Sequence, residues 1–396
     1  MFDFFYDQHP NYVEPALTRR RFTSTIWSEL IRSWSASPHF TVTEIGRTAE
    51  SRPIHEVRFG EGPIPIIAWS QMHGDEATAT MALADIFRFL SLDTPEFVEI
   101  REKLHQKISL FVIPRLNADG AERWTRETAF GIDMNRDAVA QNSPEARLLS
   151  SWADSKNPFF AFNLHDQNRL YSVGNSAHQT HIAFLATAGD ENGSWTPSRI
   201  RAAQLANRLT RSTQKYIPNK VAKWTDEFNP RAFGDTFQSR GYGLLLVEAG
   251  GAGWDLEKQT LRRINAAILL DALVSIADQT YLNESTDLYA SLETNERQLF
   301  DLKIKQAPLD PNGKYRADIG INLIETPLSS GEINYSWSIE EIGDLDYMHA
   351  LHSFDGANWQ LPEGQNTSLG ANITSLIFTE NNSIAFDLTT FTAKTN

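Results

Sequence analysis

Short apolar runs of strand length alternate with longer segments of helical period over much of the chain. The apolar runs lie at 64–69, 108–113, 159–164 and 243–247, and the helical segments lie at 74–90, 145–152, 200–216 and 255–277. Strands that alternate with helices pair mainly as parallel neighbours, and the helices then cover the sheet. The sequence therefore predicts an α/β fold with a mixed, mostly parallel central sheet and helices on both faces.

The pattern changes after about Asp287. Short β-like runs follow at 301–305, 315–323, 333–339 and 375–384, and Pro, Gly and Asn residues separate them. Such spacing is typical of small β domains. We expect a first domain over residues 1–284 and a small β-rich domain over residues 285–396.

The composition limits the chemistry and the partners. The chain has no cysteine, so any transition-metal site must use His, Asp or Glu. The formal net charge of -14 argues against a nucleic-acid or anionic-membrane partner. No apolar run approaches the roughly 18 residues of a membrane span, and the N-terminus does not resemble a signal peptide. We expect a cytoplasmic protein, or a periplasmic one if a leader has been removed.

One set of residues has the composition of a metal site. His73 and Glu76, in QMHGDE, lie between a predicted buried strand and a helix, whose first turn is expected to hold the carboxylate. His165 ends the apolar run FFAFNLH, which should finish at the same edge of the sheet. Two His and one Glu leave a coordination position open, as catalytic zinc sites require. These three residues are the predicted zinc ligands, whereas His178 lies in a polar segment and is not expected to be one.

Two further features supply groups for catalysis and binding. The segment 117–137, NADGAERWTRETAFGIDMNRD, concentrates arginines and asparagines that suit a substrate carboxylate or a developing oxyanion. Glu248 closes the apolar run in GYGLLLVEAGG. Partial desolvation there should raise the pKa of its carboxyl group, which suits a residue that takes and returns a proton. Glu248 is the candidate general base.

The order of these motifs carries a family resemblance. H-x-x-E is followed by N-x-D-G with a later Arg, by G-x-D-x-N-R, by a His that ends a strand and by a Glu that ends a strand. This order resembles the zinc carboxypeptidase family, the carboxypeptidase A-like metallopeptidases, and especially its short bacterial members. The likeness covers residues 40–253, and residues 44–54 resemble the strand pair that opens the family's domain. It implies that residues 1–284 form the catalytic domain and residues 285–396 an accessory domain.

The resemblance also implies roles for single residues. The three predicted ligands would hold one Zn²⁺ per chain, and Glu248 would be the general base. Arg126 would polarise the scissile carbonyl, although Arg123 is close enough to compete for that role. Asn135 and Arg136 would bind the terminal carboxylate of the substrate. The family's tyrosine ahead of the base has no counterpart, since residues 222–238 contain no tyrosine.

The expected activity is that of a zinc metallocarboxypeptidase, a hydrolase that cleaves a C-terminal peptide bond with metal-activated water. A zinc-dependent N-acyl amino acid deacylase, of the succinylglutamate desuccinylase and aspartoacylase kind, is the alternative enzyme. A catalytically silent binding protein is the alternative of another class. The expected partner is a peptide or acyl amino acid with a free carboxylate, and neither a nucleic acid nor a membrane is expected.

Overall fold

A computed structural model describes residues 1–365, 367–371, 377–380, 383–387 and 392–393. The chain divides into two compact units: residues 1–169 together with 180–295, and residues 170–179 together with the described part of 296–396. This division does not test the predicted domain ranges 1–284 and 285–396, which stay predictions. Of the predicted run at 375–384, residues 375–376 and 381–382 lie outside the described residues.

The first unit contains the helices and a large sheet. Its helices are α1 Phe2–Tyr12, α2 Ser24–Ala36, α3 Thr78–Ser91, α4 Pro95–Lys107, α5 Ala118–Arg123, α6 Pro144–Lys156, α7 Pro197–Gln214, α8 Phe233–Ser239, α9 Gln259–Ala277 and α10 Asp287–Ala290, with 3-10 turns at Met134–Arg136 and Thr280–Asn283. The strands of its sheet are β1 Thr41–Arg47, β2 Pro53–Phe59, β3 Ile64–Trp69, β4 Ile108–Ile113, β5 Phe160–Asp166, β7 Ile182–Ala186, β8 Val221–Lys223 and β9 Gly243–Ala249. The short strand β6 Ser172–Val173, which belongs to the second unit, and the short strand β10 Asn295–Glu296, at the boundary between the units, lie outside this sheet.

The large sheet has the strand order β1-β2-β4-β3-β5-β9-β7-β8. Its central strands β4, β3, β5 and β9 are parallel neighbours, while β1, β2 and β4 pair antiparallel at one end and β7 runs antiparallel to β9. The sheet is therefore mixed and mostly parallel, which confirms the predicted fold class. Strands β3 and β4 begin and end at the predicted residues, because each coincides with an almost wholly apolar run that is largely buried in the sheet.

Helices cover both faces of the sheet. On one face, α6 and α8 pack Trp152 and Phe237 against Trp69 and Leu246 in a continuous core. Alternate residues of β9 point to the other face, where α3 and α7 pack against the sheet. Local signals set several helix starts: a Ser or Thr caps α6 and α7, and a proline occupies the first position of each.

The second unit is β-rich, as predicted. Its strands are β11 Leu299–Pro308, β12 Arg316–Pro327, β13 Ile333–Gly343, β14 His349–Asp355, β15 Ile377–Glu380, β16 Ser383–Asp387 and β17 Thr392–Ala393. The first four form a sheet of order β13-β12-β11-β14, in which only the β11–β14 pair is parallel. The last three form a small antiparallel sheet.

Several elements of the structure are not indicated by the sequence pattern. These elements are helices α1, α2 and α4 and strands β7 and β8. The proline inside α1 and its aromatic content obscured the helical period, and β8 is only three residues long. Among the described residues, no helix is both long enough and apolar enough to span a bilayer.

Candidate active site

The turn after β3 places the first two candidate ligands. His73 lies four residues beyond the end of β3, and the backbone N–H of Glu76 donates to the carbonyl oxygen of His73 at 3.2 Å. Glu76 precedes α3, which begins at Thr78, so the expectation that a helical turn holds this carboxylate was wrong. Gly74 permits the tight turn, since a Cβ there would lie 2.0 Å from the carbonyl carbon of Gly120.

The carboxylate of Glu76 bridges the two candidate histidines. Its Oε1 lies 2.7 Å from Nδ1 of His73, and its Oε2 lies 2.8 Å from Nδ1 of His165. Oε2 also accepts the backbone N–H of Asp166 at 3.1 Å. The two imidazole rings are 4.9 Å apart between centroids. All three candidate ligands are buried. The turn after β3 and the end of β5 bring together His73 and His165, which lie 92 positions apart in the sequence.

Glu248 lies beside this cluster. It is the direct partner of His165 in the parallel pairing of β5 and β9, and it is buried. Its Oε2 has no hydrogen-bond partner among the described residues. Burial raises the pKa of the Glu248 carboxyl well above its ordinary value, and the carboxylate of Glu76 raises it further. A group with these properties can accept and return a proton.

Arg126 and Asp133 complete the polar shell of the cluster. Arg126 Nη1 lies 3.1 Å from His73 Nδ1 and donates to Glu76 Oε1 at 3.2 Å. Asp133 lies 3.1 Å from Nε2 of His73 and accepts from Nε and Nη2 of Arg126 at 3.2 and 3.1 Å. Asp133 therefore orients both the imidazole and the guanidinium. Asp133 lies in the G-x-D-x-N-R motif, but the sequence alone does not indicate this role for it.

Arg126 and Arg123, the two candidates for polarising the scissile carbonyl, lie in different surroundings. Arg123 is exposed at the end of α5 and pairs with Glu50. Arg126 instead reaches the atoms of the candidate metal site. Asn117 is buried and structural: its Oδ1 accepts the N–H of Gly120 at 2.9 Å, and its Nδ2 donates to the carbonyl oxygen of Arg126 at 3.3 Å. Asn117 thus fixes the loop that carries Arg126 rather than facing a ligand.

Asn135 and Arg136 lie in the 3-10 turn directly after Asp133. Asn135 is half-buried, and its Oδ1 accepts the N–H of Phe233 at 2.9 Å, which ties this turn to α8. Arg136 is exposed, and its Nη1 donates to the carbonyl oxygen of Asn135 at 2.7 Å. An exposed guanidinium three residues from Asp133, the half-buried aspartate of the cluster, is available to an anionic ligand.

The charged groups of the cluster shift one another's pKa values. Burial lowers the pKa of His73, but the carboxylates of Glu76 and Asp133 outweigh burial and raise the pKa to about 9. Burial lowers the pKa of His165, and Glu76 only partly offsets this. Burial raises the pKa of Glu76, but the two histidines outweigh burial and hold it well below its usual value. Glu76 is therefore an anion placed between two imidazoles.

The donor set fits a divalent transition metal. His73, Glu76 and His165 each offer one ligand atom, and these atoms lie within 4.8 Å of one another. Two imidazole nitrogens and one carboxylate oxygen form a ligand set found in catalytic zinc sites. The contact of Asp133 with the second ring nitrogen of His73 is the kind of support that orients a metal-binding imidazole.

Comparison with known proteins agrees with this geometry. Residues 28–241 match the family model described as zinc carboxypeptidase. The matched range contains all three candidate ligands, Arg126 and the turn at 134–136, and it ends before Glu248. No protein of curated function matches the sequence.

Solved structures share the fold. A metallo-carboxypeptidase from Burkholderia cenocepacia is similar, with a TM-score of 0.52 and 16% sequence identity over 66% of this chain and 70% of that chain. Bovine thrombin-activatable fibrinolysis inhibitor, solved in complex with tick carboxypeptidase inhibitor, gives a TM-score of 0.52 and 12% identity over 68% of this chain and 100% of that chain.

Proposed function

The chain belongs to the zinc carboxypeptidase family and is a metallopeptidase, and from this premise we propose that it removes the C-terminal residue of a peptide by hydrolysing the last amide bond. One observation carries the proposal. The carboxylate of Glu76 joins His73 and His165 in a buried cluster, and Glu248 lies on the strand beside His165 with an unpaired carboxylate oxygen. A metal-ligand set next to a desolvated base is the arrangement that metal-assisted hydrolysis requires.

His73, Glu76 and His165 would hold one Zn²⁺ per chain. When bound, zinc acts as a Lewis acid that makes water more acidic and polarises a carbonyl group. Glu248 accepts the proton of the attacking water on its buried carboxylate. It then delivers the proton to the leaving amide nitrogen, and its raised pKa suits both transfers.

Arg126 stabilises the oxygen of the scissile carbonyl as negative charge develops there. Its guanidinium is held by Asp133 at 3.1 Å and already reaches the ligand atoms. A donor that is fixed in advance stabilises a transition state without reorganisation. Arg123 does not take this role, because it pairs with Glu50 on the surface.

Asn135 and Arg136 bind the free carboxylate of the substrate. Both side chains follow Asp133 in one turn, and Arg136 is the exposed cation of that turn. A guanidinium binds a carboxylate through two parallel hydrogen bonds. Recognition of that group restricts cleavage to the terminal bond.

The test combines metal analysis with a substrate panel. Purified protein is assayed for zinc and then offered short peptides with a free C-terminus, the same peptides as C-terminal amides, and N-acyl amino acids. The proposal predicts one zinc per chain and cleavage of the free peptides. Faster cleavage of acyl amino acids than of any peptide would assign the deacylase reaction instead, and binding without cleavage of any compound would assign a silent binding protein.

Glu248→Gln separates the proposed base from the metal site. The variant should keep zinc and lose activity by about 10²- to 10⁴-fold, the range of general base catalysis. Glu99→Gln is the matched control, since Glu99 lies exposed on α4. Full activity in zinc-loaded Glu248→Gln would refute the mechanism.

A further inference from the structure

The ammonium group of Lys258 is buried next to the candidate active site. Lys258 directly precedes α9, and its Nζ donates to Oδ2 of Asp166 at 3.1 Å and to the carbonyl oxygen of Ala249 at 3.4 Å. The side chains of Lys258 and Asp166 are 9% and 5% exposed. Lysine is almost never buried unless it is paired, so this contact is a specific feature of the fold.

The two acceptors of Lys258 occupy equivalent places on neighbouring strands. Asp166 and Ala249 are direct partners in the pairing of β5 and β9, and they follow His165 and Glu248, which are also partners. One ammonium group therefore joins the ends of both strands one residue beyond the candidate ligand and the candidate base.

Asp166 also connects the two strand ends to Glu76 and to the start of α3. Its backbone N–H donates to Glu76 Oε2 at 3.1 Å, and its Oδ2 accepts the hydroxyl of Thr78 at 2.7 Å. Thr78 is the first residue of α3. The pair Lys258–Asp166 thus fixes β5, β9 and the start of α3 relative to one another.

The backbone of Lys258 is also unusual. Its φ is 53° and its ψ is 29°, a left-handed conformation that favours glycine. Residues held in such conformations by their surroundings cluster at functional sites. A lysine at this position combines an unfavourable backbone conformation with a buried charge, and the charge is paired with Asp166.

The N-terminal segment supports the turn that carries Lys258. The N–H of Arg20 donates to Oε2 of Glu257 at 2.9 Å, and the side chains of Gln259 and Arg262 donate to backbone carbonyls within residues 14–18. Arg262 also binds Asp85 of α3 through both carboxylate oxygens. This segment precedes residue 28, where the family match begins.

We propose that Lys258 is a positioning residue, which holds the base Glu248 and the ligands Glu76 and His165 in register by joining Asp166 to Ala249. This inference rests on the proposed function, because it needs Glu248 to be the base. Lys258 does not touch the substrate. Its effect passes through the strand ends and the N–H of Asp166.

The test uses the zinc-loaded full chain and the variant Lys258→Gly. Glycine relieves the left-handed backbone, so the variant removes the ammonium without adding strain. Supporting groups around metal sites typically contribute 10- to 100-fold in affinity or activity. We expect kcat at saturating zinc to fall by about 10- to 100-fold, and the Kd for zinc, measured by competition with a chromogenic chelator, to rise by about the same factor. Lys258→Arg should recover part of both losses.

Lys156→Met is the matched control. Lys156 Nζ forms a half-buried ion pair with Glu56 at 2.8 Å, between α6 and β2. A pair that acts only on stability lowers Tm without changing kcat or the zinc Kd, and we expect that result for Lys156→Met. The inference about Lys258 is overturned if either kcat or the zinc Kd of Lys258→Gly stays within twofold of the wild-type value.

The two proposals fail in different ways. If zinc-loaded Glu248→Gln keeps full activity, the proposed mechanism is wrong. If Glu248→Gln is inactive while Lys258→Gly retains wild-type kcat and zinc Kd, the mechanism stands and only the role of Lys258 is wrong.

Discussion

His165 and Glu248 face each other as direct partners on the parallel strands β5 and β9. The candidate ligand and the candidate base therefore leave the sheet at the same edge, on backbones that hydrogen bonds hold in fixed register. Parallel sheets bind ligands at the carboxyl ends of their strands. The remaining parts of the site, the turn after β3 and the loop after α5, reach the same edge.

Replacement of a candidate ligand should abolish zinc binding. We expect His165→Ala to weaken zinc affinity by more than about 100-fold, since removing a ligand costs more than removing a group that supports one. The measurement is zinc content after dialysis and Kd by chelator competition. His178→Ala is the control, because His178 is an exposed histidine outside the cluster. Stoichiometric zinc in His165→Ala after dialysis would contradict the assignment.

The two neighbouring arginines should differ sharply. Arg126→Gln removes a donor aimed at the ligand atoms, and loss of one such donor typically lowers kcat by about 10²- to 10³-fold. Arg123→Gln removes only a surface pair with Glu50, and such pairs contribute little. Steady-state kinetics on a free-carboxylate peptide distinguish the variants. Equal losses in both would show that the structure does not separate their roles.

Arg136 should matter only for substrates with a free carboxylate. Hydrogen bonds to a charged group contribute about 1.5 to 3 kcal/mol, so Arg136→Gln should lower kcat/KM for such a peptide by about 10- to 150-fold. The C-terminal amide of the same peptide lacks the charge, and its slow cleavage should change by less than about twofold. Arg147→Gln on α6 is the control, as an exposed arginine whose guanidinium donates to the backbone carbonyl oxygens of Gln141 and Asn142. Equal losses on both substrates would place Arg136 outside the recognition of the carboxylate.

Asp235 should make the stability of the protein depend on pH. Burial raises the pKa of Asp235 from 3.8 to about 6, and the N–H of Asn229 only partly offsets this. Between pH 3.8 and about pH 6, the folded state binds more protons than the unfolded state. The carboxyl group of Asp235 therefore adds to the free energy of unfolding below about pH 4, and this stabilisation is lost as the pH rises through about 6. Asp235→Asn does not titrate and can still accept the N–H of Asn229. Its Tm relative to wild type should therefore increase from pH 4 to pH 7. An unchanged Tm difference across this range would show that Asp235 titrates normally.

Much of the central fold could be predicted from the sequence. The apolar runs that form β3, β4, β5 and β9 are largely buried in the sheet, and such runs are recognisable without tertiary information. Strand β7 was missed because its neighbours in sequence are polar. The start of α3 was predicted four residues too early, since Gly74 begins a turn that packs against the backbone of Gly120 before the helix starts at Thr78.

The candidate ligands and Glu248 could be selected from motif order, and the structure brings them to one place. Their roles stay predictions. Contacts between the side chains of loop residues could not be predicted: nothing in the sequence indicated that Asp133 binds both His73 and Arg126. The ion pair of Lys258 could not be predicted either, because its partner Asp166 lies 92 residues away in the sequence.

The contact between Gly74 and Gly120 restricts how this enzyme can be re-engineered. A Cβ on Gly74 would lie 2.0 Å from the carbonyl carbon of Gly120, and a Cβ on Gly120 would lie 2.6 Å from the carbonyl oxygen of Glu127. The ligand turn and the arginine loop are thus stacked backbone on backbone. A library that randomises either loop to obtain new specificity must keep both glycines, because a methyl group at either position would displace the backbone that holds the candidate ligands and Arg126.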